Sequence, residues 1–336
     1  MLTLYQKNKM KNFKLFFTAF LIFATGKNLF AESNLFNIAL STDFGLMNGI
    51  VKEYVFDSEC HNTDDILSRL DWDVKNIPVF NFSLTANLFK YGFFTAQGFF
   101  AVPKSSGKME DRDWLNCIAF NKPQKYGTEL TNYSYHENFL TDYYGLSAKL
   151  GAAFFIPLII IDLRIKPFLA YQYEFIAFDG KNGYRTYKSE NWEKISFNGK
   201  VISYFQEINS FLIGIDFYVS FLDFFNIQCD FSISPYTTNI NALDFHYLTK
   251  TAYLDKINKT LQLETNLKMN LVLKKHNNFF VQGFLQYIPI QKGLDYMKYI
   301  DKDGKYTSSK WILANGAEGG TSRFLFKISL GYSFIF

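Results

Sequence analysis

Seven prolines and three cysteines in 336 residues are too few for a proline-rich linker protein or a disulfide-stapled secreted scaffold. An excess of one charge sign is also missing, since 35 Lys and Arg oppose 31 Asp and Glu. Five of the positive charges, Lys7, Lys9, Lys11, Lys14 and Lys27, fall in residues 1–31, which contain no acid. Without that segment the formal charge drops from +4 to −1, so no basic footprint for nucleic acid remains. Long apolar runs are absent after residue 31. The best, Phe154–Ile161, is eight residues long and is interrupted by Pro157, whereas a spanning helix needs about 20. No Ser or Cys nucleophile motif is found. Cys60-His61 resembles half of a metal site, but no second half follows at ligand spacing.

What the chain does have is aromatic mass spread among polar residues. Phe (39) and Tyr (22) dominate a composition that is 48% hydrophobic, yet mean hydropathy is only −0.06. Disorder is thereby excluded. The pattern suits a barrel with one apolar face. Residues 1–31 read as a signal peptide: lysines, the apolar run Leu15–Ala24, and a cleavage point after Ala31. An alternative start at Met10 gives a more ordinary n-region. Residues 32–336 then form one domain.

The apolar period in that domain is two. Phe324, Phe326, Ile328, Leu330, Tyr332, Phe334 and Phe336 share one face, and Leu261, Leu263, Leu267, Met269, Leu271 and Leu273 share another. Alternation alone also fits a soluble sandwich. Runs of ten residues or more, and a strand ending on Phe336, favour an all-β transmembrane antiparallel β-barrel. Ten strands are expected, near 35–56, 66–89, 92–104, 131–153, 159–178, 200–220, 225–246, 257–274, 279–291 and 322–336. Short turns alternate with long polar connections at 57–65, 105–130, 179–199, 247–256 and 292–321, which sets the long ones outside the cell.

Two constellations fall at outer strand ends. Asp111 and Asp113, within Gly107–Trp114, lie two apart, so an extended backbone puts both carboxylates on one face. Close like charges raise one pKa, which suits a shared proton or a held water. Asp244 and His246 share parity with Gln228, Asp230, Ser232 and Ser234, and point into the lumen mouth if no bulge intervenes. A carboxylate beside an imidazole orients it as a general base. Either pair alone also fits a solvated loop or rim.

Together the motifs are specific. Leu70-Asp71-Trp72, Gly107-x-Met109-x-Asp111-x-Asp113-Trp114 and Asp244-x-His246-Tyr247 resemble, in order, those of the omptin family of outer-membrane endopeptidases. The likeness extends over 32–336 and is diffuse outside these motifs. It implies an Asp111–Asp113 couple and an Asp244–His246 couple holding a hydrolytic water at the extracellular mouth, with no metal and no covalent intermediate. It implies peptide or protein substrates at the cell surface, outer-membrane lipid around a single chain, and no cofactor. Glu53, in Gly49–Val55, resembles an acid that receives a basic P1 side chain. The family's second such acid falls at Ala242, so a weakened basic preference is expected. Lipopolysaccharide supports activity in the family, but Tyr171–Ile176 contains no matching Arg.

The remaining expectations are plainer. Cys60 and Cys117 fall in outer loops where an oxidising setting permits pairing, and Cys229 faces lipid. His136 and His276 read as loop or turn residues, and Trp72 and Trp114 as interfacial girdle aromatics. The alternatives to a protease are a non-catalytic surface adhesin on the same scaffold and a passive porin.

Overall fold

The computed structural model describes residues 36–57, 66–88, 91–115, 129–157, 161–222, 224–274 and 276–336. Residues 1–31, expected to be a signal peptide, and both Cys60 and Cys117 lie outside these residues. Thirteen strand segments follow in chain order: β1 (Phe36–Asp57), β2 (Ile66–Leu88), β3 (Gly92–Ala101), β4 (Lys104–Asp113), β5 (Asn132–Ala152), β6 (Phe154–Pro157), β7 (Asp162–Tyr187), β8 (Ile195–Ser196), β9 (Lys200–Leu222), β10 (Phe225–His246), β11 (Thr251–Lys274), β12 (Asn277–Tyr299) and β13 (Ile312–Ile335). β3 and β4 are two halves of one barrel strand, and β6 and β8 are short additions. That leaves ten long antiparallel strands, closed into a ring by the β1–β13 ladder. Closure leaves no edge to be satisfied by water, as a bilayer demands. Among the described residues no helix is long and apolar enough to cross a membrane.

The two faces separate as the alternation requires. Leu150, Leu169, Phe211, Phe231, Ile328 and Leu330 project outward and are exposed. The inner face is polar and closed. Arg323 pairs with Glu174 at 2.7 Å, both fully buried, and Gln286 Nε2 donates to Glu174 and Glu264 at 2.8 Å each. Lys149 and Lys166 reach Asp230 and Asp216. Pairs of this kind across the lumen make a plugged interior rather than an aqueous pore.

Strands outrun the expected boundaries at their outer ends. β7 extends to Tyr187, β11 begins at Thr251, β12 reaches Tyr299 and β13 begins at Ile312. Segments read as loops from their polarity are ladder. A bilayer needs only about 9–11 residues of a tilted strand, whereas β7 has 26. The outer half therefore stands in water, where polar residues keep the hydrogen bonding without the apolar stripe that marks a strand in sequence. The 105–130 loop is shortened likewise: the ladder breaks at Val102-Pro103, where Pro lacks a donor, and resumes as β4.

Candidate active site

Both sequence constellations sit on these outer extensions. The β1–β2, β2–β4 and β4–β5 registers set Glu53, Leu70, Asp111 and Ser134 in one row across four strands. On the far wall a register shift between Ser234 and Thr238 interrupts β10. Four residues there span two on β11, so parity is kept: Ile240, Ala242 and Asp244 are buried inward, and His246 continues the row.

A packed floor lies beneath. Trp72 is fully buried and stacks between Phe178 and Tyr204, at 5.6 and 5.5 Å between ring centroids. It belongs to this floor and not to the lipid-facing girdle, because its even parity on β2 points it inward. Gln206 Nε2 donates to Tyr204 Oη and Thr321 Oγ1, and Thr321 Oγ1 donates to the Lys52 carbonyl, binding the floor to β1.

Each couple has its own hydrogen bonds. Ser68 Oγ donates to Asp111 Oδ1 at 3.3 Å, and Asn132 Nδ2 donates to Asp113 Oδ2 at 3.1 Å. His246 Nε2–H donates to Asp244 Oδ2, and the edge of the imidazole meets Tyr253. Asp244 is buried, while the His246 side chain keeps 30% exposure. Outside the groove, Arg112 bridges Glu110 and Asp71, and Arg69 also pairs with Asp71, bracing β2 against β4 behind Asp111.

The couples feel one another. Burial pulls the His246 pKa down, but the Asp244 charge and hydrogen bond, then Asp111 and Asp113, outweigh it and raise the ring to about 9. Burial and then Asp113 hold Asp111 well above the usual carboxylate range, against the lowering pull of His246. Burial raises Asp113 as well. Glu53 is raised well above its ordinary value by burial, then by Asp244 and Asp255. All of these shifts are upward, so carboxyls and imidazole alike hold their protons more tightly than in water, which marks the mouth as a candidate functional site.

The five predicted site residues thus converge at one mouth. His136 departs from expectation: it is not in a loop but buried on β5, where Nδ1 meets the Asn182 carbonyl at 2.6 Å and the ring stacks on Phe197. His276 does occupy a turn. Asp255 and Asp295, both buried at the same mouth, escape sequence reasoning. They lie in segments that read as loop, and only the ladder through 251–256 gives them an inward face.

A closed ten-stranded barrel whose outer mouth combines buried carboxylates with an imidazole defines a class, and the comparisons name it. The chain belongs to the omptin family, whose sequence model matches residues 34–336. It is similar to the plasminogen activator of Yersinia pestis, at 31% identity over 81 residues, which is 24% of this chain. The aligned segment spans about a quarter of that relative's length. The fold matches the crystal structure of the outer membrane protease OmpT from Escherichia coli with a TM-score of 0.74 and 21% identity, covering 91% of this chain and 99% of that one. The chain is an outer-membrane β-barrel with its candidate site toward the cell exterior.

Proposed function

We propose that the chain is an endopeptidase that hydrolyses peptide bonds with a water activated between Asp111–Asp113 and Asp244–His246. The observation that carries this reading is the convergence of the two couples at one mouth, Asp111 and Asp113 on β4 and the hydrogen-bonded Asp244–His246 pair on β10. Asp244 accepts the Nε2 proton of His246 and leaves Nδ1 to take a proton from water. Asp111 holds and polarises that water, with Asp113 and Ser68 supporting its carboxylate. The hydroxide attacks the scissile carbonyl, and the imidazolium returns the proton to the leaving amine. Glu53 receives a basic side chain at P1, since a buried carboxylate favours a cation that can pair with it.

The test is to purify the barrel from outer membranes in detergent, incubate it with a peptide library and read cleavage sites by mass spectrometry. Cleavage next to Arg or Lys is expected. A folded barrel that cleaves nothing, with or without lipopolysaccharide, overturns the reading and favours the surface adhesin.

A further inference from the structure

At the mouth, Ala242 on β10 stands opposite Asp255 on β11, and Asp255 stands opposite Asp295 on β12. Both aspartates are buried, as are Glu53 and Asp244. The four acids share one space. Glu53 feels Asp244 and Asp255, Asp255 feels Asp295 and Asp244, and the Tyr204 phenol feels both Glu53 and Asp255. β13 is shaped to admit this group. A Cβ at Gly319 would collide with the Asp255 carboxylate, and the Gly320 N–H donates to Asp255.

Among the described residues, no Lys or Arg pairs with Glu53, Asp244, Asp255 or Asp295; His246 on Asp244 is their single basic partner. Glu53 Oε2, Asp244 Oδ1 and Asp295 Oδ1 are buried with no hydrogen-bond partner. Leaving buried carboxylate oxygens unpaired is costly, so the arrangement fits a site whose cation arrives with the ligand. No group of three or more acids is gathered tightly enough to hold a metal ion among the described residues. The acids are instead spread over β1, β10, β11 and β12 above the packed Tyr204 and Ala242, which suits a longer organic cation.

We propose that Asp255, backed by Asp295, is the second acid of the P1 pocket, supplied from β11 at the position opposite Ala242, where β10 carries no carboxylate. This rests on the endopeptidase reading and deepens it. Ala242 lies two residues inward of Asp244, roughly 7 Å along the strand, within the span of an extended Arg or Lys side chain held at the scissile bond. Glu53 then contacts the cation from β1 and Asp255 from β11. The weakened basic preference expected from Ala242 is accordingly not expected to hold. The acid has changed strands.

The test compares matched peptides with Arg or citrulline at P1, which differ in charge and little in shape. For wild type the ratio of kcat/KM values should favour Arg strongly. Asp255→Asn should lower that ratio by about tenfold or more, and Asp295→Asn by less. Adding Ala242→Asp to Asp255→Asn should restore it, an outcome that a purely structural role for Asp255 does not give. Binding of the arginine peptide is measured in parallel by calorimetry, independent of turnover, and should weaken in Asp255→Asn. An unchanged ratio in a folded, active Asp255→Asn overturns this proposal and leaves the protease standing. Absent cleavage with Asp255-dependent binding overturns the protease and keeps the pocket. Absent binding of the arginine peptide overturns the pocket in either case.

Discussion

Ala242 and Asp255 face each other directly across the β10–β11 ladder, both buried at the barrel mouth. A small apolar residue and a carboxylate thus occupy one cross-strand pair. If the pocket already holds its second acid, Ala242→Asp in the otherwise native chain adds a carboxylate against Asp255 and Asp244. The expected result is no gain in Arg selectivity and a lower unfolding midpoint, read by the heat-modifiable gel shift. A sharpened Arg preference would show instead that the native pocket was short of an acid.

The imidazole gives a direct readout. The chain has four histidines, so ring-labelled NMR in detergent can follow each one. His246 should titrate near 9, held up by Asp244, Asp111 and Asp113 against the effect of burial. Asp111→Asn should lower that midpoint, because one supporting negative charge is lost. His136, lowered by burial, should titrate below the ordinary 6.5. A His246 midpoint at or below 6.5 would contradict the coupling across the groove.

Kinetic and stability consequences follow from the same raised pKa. A base that is free only above its pKa makes kcat/KM rise with pH toward about 9. A P1 cation beside Glu53 and Asp244 offsets the charge that keeps the ring protonated. For an Arg substrate, the acidic limb of kcat should therefore lie at lower pH than that of kcat/KM. Because the folded pKa is raised, the stabilisation from His246 is full below about 6.5 and is lost as pH rises through about 9.

Asp295 carries the opposite linkage. Burial and then Asp244 raise it to about 6, so the native state disfavours its charged form. Destabilisation from this group sets in as pH rises from about 4 to 6 and levels off on the order of 3 kcal/mol above that range. Asp295→Asn should raise the unfolding midpoint at pH 8 and leave it unchanged at about pH 3, where both states hold the proton. Equal effects at both values would assign the residue a packing role only.

Trp72 carries the floor. Trp72→Ala removes the ring stacked on Phe178 and Tyr204 and should cost about 3–5 kcal/mol. Heat-modifiable mobility should shift to lower temperature, and P1 selectivity should loosen because Tyr204 and Gln206 lose their support. Unaltered stability would contradict the packed floor.

Much of this is legible in the sequence, for identifiable reasons. The membrane half announces itself through period-two apolar stripes such as 324–336, because lipid imposes that alternation. Asp111, Asp113, Asp244 and His246 are legible because short i, i+2 spacings survive any strand assignment, and the four-for-two bulge at Ser234–Thr238 preserves parity. Asp255 and Asp295 are not. Above the bilayer both faces of a strand meet water or a polar groove, so 251–256 and 292–299 resemble loops. Trp72 reads as a girdle residue because aromatics mark both a girdle and a packed floor, and only register separates the two.

Activation of water between the two couples is tested most directly by kcat/KM on one Arg-P1 peptide for wild type, Asp111→Asn and His246→Ala, each shown to be folded by heat-modifiable mobility. A loss of about 10³-fold or more is expected in each variant. Activity within about tenfold of wild type in either one would contradict it.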